Sequence, residues 1–405
     1  MDRTERQKVC VKRWLKANGA ATIVAATGFG KTNIALNIAE ILIKKNPDAS
    51  ILIVVPTEPL KEQWESQLAD RALSENCNVQ IINSVIKKKW DCDLLIVDEC
   101  HLMAATTFSL VFTCVTYRLI LCLTGTMERL DGKEVIIKQF APVCDTITLQ
   151  EAEANGWVSP VKEYAVMLKV DLTEYEELNK KFNSYFAYFD WIFSDAMLCA
   201  TNAAFRRKYA KSHNLDWRQV TAMAMDWMRC LRKRKEFVMS HPKKLEIAKK
   251  ILEARQDKKC ITFSATIKDA ESLGVGYTLH SKQSKKKNDE TLKAFNEAET
   301  GVLNSSKACD QGIDVKGLSV GIILATDSSK IRKTQRTGRV CRFEPGKKAE
   351  MFTLLIEGTQ EVNWFRNSST SKYTTINEEQ LEKILAGEEI NSRQIETTNM
   401  LDYRF

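Results

Sequence analysis

The sequence alternates short, continuous apolar runs with segments of helical spacing. In the first third of the chain, the runs are ATIVAAT (21–27), SILIVVP (50–56), VQIIN (79–83), DLLIVDE (93–99) and YRLILCLTGT (117–126). Because these runs are continuous, they are typical of parallel strands that are covered on both faces. The stretches between them, such as TNIALNIAEILIKK (32–45), carry apolar residues at helical spacing. The alternation therefore predicts a doubly wound α/β lobe with a parallel sheet.

A second series of the same kind follows. Its runs are EYAVMLKV (163–170), KCITFSA (259–265), YTLH (277–280), GVLNSS (301–306), VGIILAT (320–326) and AEMFTLL (349–355). We therefore expect one lobe over residues 1–158 and a second over 159–362, with a helical insert at 171–240. Residues 363–405 form a polar tail with one expected helix, 377–389. This tail is either a cap packed on the second lobe or an arm that binds a partner.

The insert differs in composition from both series. Two possible helix-capping boxes pair Thr173 with Glu176 and Asp216 with Gln219. Aromatic residues crowd its first half: Tyr175, Phe182, Tyr185, Phe186, Tyr188, Phe189, Trp191 and Phe193. We expect them to form the core of the insert rather than a platform on which bases stack.

Positive charge is concentrated in and after the insert. Residues 201–260 contain 17 Lys and Arg against 6 Asp and Glu, an excess of +11, whereas the whole chain carries +8. This concentration favours a polyanionic partner, with a solvated helix face as the alternative. Contacts made here would be with phosphate and would carry no base specificity. The candidates are Arg206, Arg207, Arg232 and Arg234.

Composition excludes several other classes of protein. No stretch approaches the roughly 18 apolar residues of a membrane span, and the N-terminus MDRTERQKVC is charged rather than a signal peptide. The twelve cysteines include no C-x-x-C pair, and several lie within apolar runs. We expect reduced cysteines, a cytoplasmic protein and no structural zinc.

The first apolar run leads into a phosphate-binding loop, Ala25-Ala26-Thr27-Gly28-Phe29-Gly30-Lys31-Thr32, and then a helix. Glycines let such a loop wrap so that backbone N–H groups point at a β-phosphate, and the helix N-terminus adds the positive end of its dipole. Lys31 would reach the β- and γ-phosphates, and the Thr32 hydroxyl could ligate Mg²⁺. The nucleotide-binding residues predicted here are Thr27, Gly28, Phe29, Gly30, Lys31 and Thr32.

An acidic partner for this loop is expected at the end of another apolar strand. LLIVDECH (94–101) supplies it. Asp98 would hold Mg²⁺ through its water shell, and Glu99 would orient or deprotonate the attacking water.

Asp98-Glu99-Cys100-His101 resembles the D-E-x-H box of superfamily 2 helicases, and other motifs of that family follow in order. Gln7 is similar to the glutamine that these enzymes place near adenine. VVPTEPLKEQW (54–64) is similar to the motif whose Pro-Thr turn meets the nucleic-acid backbone, which implies a phosphate contact for Thr57. Thr124-Gly125-Thr126 resembles the motif that couples the ATP state to lobe movement, and the resemblance adds His101 to this coupling.

The second series carries two further motifs of the family. Lys307-Ala308-Cys309-Asp310-Gln311-Gly312-Ile313-Asp314 is similar to the "EGID" motif, and the resemblance places Gly312 and Asp314 at the nucleotide. Gln335-Arg336-Thr337-Gly338-Arg339-Val340-Cys341-Arg342 matches Q-R-x-G-R-x-x-R. The resemblance implies that Gln335 contacts the γ-phosphate or the attacking water. It also implies that Arg339 and Arg342 face the γ-phosphate when the second lobe closes.

The resemblance spans residues 3–362 and implies two RecA-like lobes with an ATP site between them. The departures are Ala25 for glycine, Gly125 for alanine and Met127 for proline. The function implied is an ATP-dependent DNA helicase or translocase that uses ATP and Mg²⁺ and acts on single-stranded or branched DNA. Repair and branch-migration helicases, including phage-encoded ones, and restriction-type motor subunits look most similar. The alternatives are an RNA helicase, a motor subunit of a larger nuclease complex, and an inactive nucleic-acid-binding scaffold.

Overall fold

Two parallel β-sheets organise the chain into two lobes. The structure, a computed structural model, describes residues 1–104, 107–127, 132–306, 315–327, 329–340, 344, 347–369, 372–388 and 390. Among these residues, no helix is both long enough and apolar enough to cross a membrane.

The first lobe is built on a six-stranded sheet. Its strands are β1 (Ala20–Ala25), β2 (Ile51–Val55), β3 (Cys77–Ile81), β4 (Trp90–Val97), β5 (Val115–Thr124) and β6 (Val143–Ile147). They pair in parallel in the order β3-β2-β4-β5-β1-β6. The helices are α1 (Arg3–Lys16), α2 (Lys31–Lys45), α3 (Glu58–Asp70), α4 (Ile82–Val85), α5 (Val111–Cys114), α6 (Glu134–Phe140) and α7 (Leu149–Ala154). Two 3₁₀ turns cover Cys100–Ala104 and Phe108–Leu110.

Apolar side chains cover both faces of this sheet. All five residues of β2 are buried, and β1, β4 and β5 are buried over most of their length. The hydrophobic core is accordingly split into two clusters, one on each side of the sheet. Such burial is why the sequence shows continuous apolar runs here.

A seven-stranded parallel sheet forms the second lobe. Its strands are β7 (Val161–Leu168), β8 (Lys259–Ser264), β9 (Tyr277–Leu279), β10 (Gly301–Ser306), β11 (Leu318–Ile323), β12 (Ala349–Ile356) and β13 (Thr374–Ile376). Their order is β13-β7-β12-β11-β8-β10-β9. After the insert, the helices are α12 (Pro242–Ala254), α13 (Ile267–Ser272), α14 (Lys285–Glu297), α15 (Lys330–Val340), α16 (Gln360–Ser368) and α17 (Glu378–Leu385). Both lobes thus have the α/β fold predicted from the sequence.

Four helices fill the insert between β7 and α12. They are α8 (Thr173–Ala187), α9 (Phe193–Thr201), α10 (Ala203–Ser212) and α11 (Trp217–Met239). Phe182, Phe189 and Trp227 are buried in a core of their own, as expected for the aromatic row. Trp191 and Phe193 are about half exposed at the turn between α8 and α9, at 58% and 50%.

Both capping boxes predicted for the insert are wrong. The first residue outside α8 is Leu172, and Thr173 instead donates two hydrogen bonds to Oδ1 of Asp171. Asp216 does cap α11, but its side chain accepts from the N–H of Arg218 rather than from that of Gln219. In both places the acidic side chain bonds two residues ahead, which is the Asx-turn alternative to a box.

The residues after α16 that the structure describes pack on the second lobe. Strand β13 pairs in parallel with β7, and α17 buries Leu381 and Ile384 against the sheet. Between the two possibilities for the tail, this part of the chain is a packed cap.

Candidate active site

Three neighbouring strands bring the candidate residues to one edge of the first sheet. Strands β4, β5 and β1 are adjacent in that order, and all three run parallel. Their carboxyl ends lead into the Asp98 turn, the Thr124-Gly125-Thr126 segment and the phosphate-binding loop. Ligands of doubly wound sheets bind at this edge because the loops that follow the strands meet there.

The phosphate-binding loop has the backbone that its glycines allow. Gly28 and Gly30 have φ values of 88° and 97°, in the left-handed region that favours glycine. Helix α2 begins directly after Gly30 and has no acidic residue in its first turn. Its first N–H groups therefore face the loop without a competing carboxylate, as anion binding requires.

Two side chains of helix α1 donate hydrogen bonds to the phosphate-binding loop. The carbonyl oxygen of Phe29 accepts hydrogen bonds from Gln7 Nε2 at 2.8 Å and from Arg3 Nε at 2.9 Å. A Cβ atom on Gly30 would lie 2.6 Å from Gln7 Nε2, so only glycine fits this contact without a shift. Gln7 thus touches the loop itself, and its contact with adenine stays a prediction.

Asp98 is a buried carboxylate with both oxygens engaged. Its Oδ2 accepts from the indole Nε1 of Trp64 at 2.9 Å, and its Oδ1 accepts from the N–H of Glu99 at 2.9 Å. Burial raises the pKa of Asp98, and the charge of Glu99 acts in the same direction. The positive charge of Lys31 and the two hydrogen bonds oppose this rise in pKa. Lys31 also donates to the carbonyl oxygen of Ala25 at 3.4 Å, which places it on the loop side of the site.

Glu99 and the coupling residues form one connected group. Glu99 has a φ of 48°, an uncommon conformation for a residue with a side chain, and its Oε2 lies 3.3 Å from His101 Nδ1. The same His101 nitrogen lies 2.9 Å from the Thr124 hydroxyl, which in turn donates to the carbonyl oxygen of Thr126 at 2.7 Å. The structure therefore brings His101, Thr124 and Thr126 together beside Glu99.

Oxygen donors suited to Mg²⁺ are present at this edge. Thr32 lies in the first turn of α2, and Asp98 follows β4. A hydroxyl and a carboxylate are ligands that a hard cation prefers, and Mg²⁺ keeps several of its waters. The set fits a magnesium ion held by Thr32 and, through water, by Asp98.

Helix α15 of the second lobe reaches the phosphate-binding loop. A Cβ atom on Gly338 would lie only 2.2 Å from Cβ of Thr27, so the backbone of α15 is in close contact with the Thr27 side chain. Within α15, Arg336 is buried and donates to the carbonyl oxygen of Ala325 at 2.8 Å, whereas Gln335 is half-buried.

The other predicted site residues of the two second-lobe motifs lie partly or wholly outside the described residues. Arg339 follows Gly338 on α15, and its side chain lies outside the described residues. Gly312, Asp314 and Arg342 lie outside the described residues altogether.

The candidate nucleic-acid contacts differ in their surroundings. Thr57 begins α3, and its buried Oγ1 makes no hydrogen bond within the described part of the chain. Arg206 donates to the carbonyl oxygen of Cys199 at 2.5 Å, and Arg234 lies 4.2 Å from the centre of the Phe182 ring. These two arginines make contacts within the insert. The exposed Arg207 and Arg232 are therefore its better candidates for contacts with nucleic acid.

Two residues at the site were given no role from the sequence alone. Trp64 ends the string VVPTEPLKEQW, seven residues after Thr57, and that spacing places both on one side of a helix. Gly338 lies inside a helix, where glycine costs about 1 kcal/mol relative to alanine, so its presence there suggests a close approach of another part of the chain.

Profiles of known families match both lobes. Residues 1–90 match the family described as "Type III restriction enzyme, res subunit", and residues 243–344 match "Helicase conserved C-terminal domain". The DNA 3'-5' translocase XPB2 of Sulfurisphaera tokodaii is 24% identical over 386 residues, which cover 88% of this chain and 82% of that protein.

The chain is a superfamily 2 helicase.

Solved helicase structures resemble this helicase in fold. The helicase domain of Pyrococcus furiosus Hef has a TM-score of 0.51 and 17% identity, covering 90% of this chain and 97% of its own. Dbp5 of S. cerevisiae, bound to RNA and ADP BeF3, has a TM-score of 0.59 and 14% identity, covering 94% and 92%. At this identity the likeness shows the RecA-like fold alone. As a member of its family, the helicase hydrolyses ATP and binds nucleic acid.

Proposed function

We propose that the helicase couples hydrolysis of Mg²⁺-bound ATP to movement along DNA or remodelling of DNA. The observation that carries the proposal is the convergence of two lobes on one loop. Asp98, Glu99 and the phosphate-binding loop belong to the first lobe, and α15 of the second lobe contacts that loop at Thr27.

Each side chain has a distinct task in this proposal. Lys31 binds the β- and γ-phosphates, and Thr32 with Asp98 holds the metal. When bound, Mg²⁺ neutralises charge on the phosphate oxygens. Glu99 orients the attacking water or accepts its proton, and His101 passes the change at Glu99 on to Thr124.

The second lobe completes the site only in its closed position. In this proposal, Gln335, Arg339 and Arg342 contact the γ-phosphate, and Gly312 and Asp314 contact the nucleotide. Positive charge beside the γ-phosphate stabilises the transition state, so hydrolysis requires closure, and release of phosphate favours opening. Repeated closure on one strand then moves the protein along it.

DNA is the proposed substrate because of the relative that matches most of the chain. That relative is a DNA 3'-5' translocase, and we propose the same direction of movement here. The insert supports a polyanionic partner, since Arg207, Arg232 and their basic neighbours are exposed. Within this proposal, we expect branched DNA to be the substrate, and RNA is the alternative.

Steady-state ATP hydrolysis tests the proposal. The protein is assayed alone and with single-stranded, duplex and forked DNA, and with single-stranded RNA of the same sequence. We expect hydrolysis to rise at least about tenfold with DNA and less with RNA, because nucleic acid favours the closed state. Displacement of streptavidin from either end of a biotinylated strand then reports the direction.

Two variants control this assay. Lys31→Ala should lose hydrolysis with every substrate, and Glu99→Gln should bind ATP without turning it over. Stimulation by RNA alone would assign an RNA helicase instead. No stimulation by any nucleic acid would reject the proposed motor and favour a subunit that needs a partner.

A further inference from the structure

Trp64 donates a hydrogen bond directly to the carboxylate at the metal site. Its side chain is only 1% exposed, and the indole Nε1 lies 2.9 Å from Oδ2 of Asp98. The other oxygen of this carboxylate accepts from the N–H of Glu99. With one donor on each oxygen, the plane of the carboxylate is fixed, and the donor on one side belongs to α3.

Filling the core does not require the indole N–H. Trp64 belongs to the larger of the two core clusters of the first lobe, where a phenylalanine could bury a similar apolar surface. A phenylalanine at this position would lack the indole N–H, the buried donor that bonds the Asp98 carboxylate. A shift of α3 would therefore act directly on one oxygen of the Asp98 carboxylate.

Helix α3 is also the element that meets nucleic acid in the proposed function. It begins after Thr57, the candidate phosphate contact, whose Oγ1 is buried and makes no hydrogen bond within the described residues. Seven residues separate Thr57 from Trp64, about 10 Å along a helix. Because a short helix moves as a rigid unit, a phosphate that pulls on Thr57 also shifts the indole.

The second lobe touches the same helix. Glu62, between Thr57 and Trp64, forms an ion pair with Lys285 at the start of α14. The proposed phosphate contact, the contact with the other lobe and the hydrogen bond to Asp98 thus lie within the eight residues 57–64.

We propose that Trp64 is a positioning residue that transmits nucleic-acid binding at the start of α3 to the metal-binding carboxylate of Asp98. This inference rests on the proposed function. It predicts that removing the indole N–H weakens the linkage between Mg²⁺-nucleotide and DNA while both can still bind.

The matched pair Trp64→Phe and Trp14→Phe tests the inference. Trp14 is 2% exposed in the same core cluster, and its Nε1 donates at 2.9 Å to the backbone carbonyl of Ile120. Each variant loses one buried indole donor from the first lobe, and only the first affects Asp98. Thermal unfolding establishes that both are folded.

The readout is binding, measured without turnover. The affinity for single-stranded DNA is measured with and without a non-hydrolysable ATP analogue and Mg²⁺, and their ratio is the coupling factor. A typical coupling factor is about 5 to 150. We expect Trp64→Phe to bring it close to 1 and to raise the Mg²⁺ concentration for half-maximal binding of fluorescent ADP several-fold. Trp14→Phe should keep both wild-type values.

Several results would overturn the inference. A wild-type coupling factor in Trp64→Phe would do so, as would equal losses in both variants, which indicate a general effect on the core. If wild-type protein shows no coupling with DNA, both the inference and the proposed function fail. If wild-type protein and Trp64→Phe show the same coupling factor above 1, the inference fails and the proposed function stands.

A second variant keeps the test open if Trp64→Phe does not fold. Thr57→Val changes the residue before the start of α3 and leaves the indole in place. We expect it to lower the coupling factor while the Mg²⁺ dependence of ADP binding without DNA stays at the wild-type value. An unchanged coupling factor would contradict transmission through α3.

Discussion

His101 joins two groups that belong to different steps of the proposed cycle. One ring nitrogen, Nδ1, lies 3.3 Å from Oε2 of Glu99 and 2.9 Å from the hydroxyl of Thr124. Thr124 ends β5 and also donates to Thr126, in the segment that leads away from the site. A change in the charge or position of Glu99 can therefore reach the backbone after β5 through its contact with His101 and two further hydrogen bonds.

Thr124→Val tests this connection. The variant should hydrolyse ATP near the wild-type rate, but the DNA displaced per ATP should fall about tenfold, in the range of typical coupling energies. Strand displacement and phosphate release are measured on the same samples.

Thr22→Val is its matched control. Thr22 is fully buried on β1, and its hydroxyl donates to the carbonyl oxygen of Ala141 at 2.6 Å. Either variant should lose about 1–3 kcal/mol of unfolding free energy, because a buried acceptor loses its donor. Similar displacement per ATP in both variants would argue against the coupling role of Thr124.

The role of a residue could be predicted from the sequence only where the residue belongs to a continuous motif. The phosphate-binding loop and Asp98-Glu99 were found from the sequence because the chemistry needs neighbouring residues in fixed order. Arg206 and Arg234 show the limit of this approach. A sequence gives their charge but not the carbonyl and the ring that they contact in the folded insert.

At the scale of elements, burial explains which strands were found. Four of the five expected strands of the first lobe are interior strands with continuous apolar stretches, and the fifth, β3, lies at an edge, whereas β6 was missed. It lies at the edge of the sheet, exposes Val143 and buries Asp145, so its sequence has no apolar run. Asp145 is tolerated there because Arg6 binds it with two hydrogen bonds of 2.6 and 2.8 Å, which also anchors α1.

The short strand β13 was missed for a related reason. Its three residues, Thr374–Ile376, are too few for a periodic signal, and the long-range pairing with β7 determines their structure. The expected helix at 377–389 corresponds to α17, which ends at Leu385, because its capping box and apolar spacing are local features.

Helix α11 carries exposed positive charge, at Arg232 and Lys233, that we propose contacts DNA. Changing Arg232 and Lys233 to glutamate should weaken DNA binding and lower its salt dependence. Each lost phosphate contact reduces the slope of log K against log salt by about 0.9 for duplex DNA, so a change of up to about 2 is expected. Fluorescence anisotropy at several salt concentrations measures this slope.

Lys44 and Lys45 provide the control for this charge reversal. They are exposed at the far end of α2 from the phosphate-binding loop, so the same reversal there should leave the slope unchanged. Equal slopes for the two double variants would remove the insert from the DNA-binding surface.

At the scale of the whole molecule, function depends on how closely two separately folded lobes approach. Each sheet has its own core, and the sequence predicted both. The family resemblance implied that the two lobes meet at the ATP site. The residues that touch could not be derived from local patterns, because they lie more than 300 residues apart in the sequence. Gly338 and Thr27 form that contact at the nucleotide site.

Gly338→Ala should separate hydrolysis from nucleotide binding. Within an isolated helix, alanine is favoured over glycine by about 1 kcal/mol, so the substitution should not unfold α15. Its Cβ would instead lie 2.2 Å from that of Thr27 and hold the lobes apart. We expect ATP turnover to fall about 100-fold or more, since an arginine at the γ-phosphate is worth on the order of 10³ or more. The affinity for fluorescent ADP should change less than about threefold, whereas Lys31→Ala should lose binding as well. Wild-type turnover by Gly338→Ala would mean that hydrolysis does not require this approach of the two lobes.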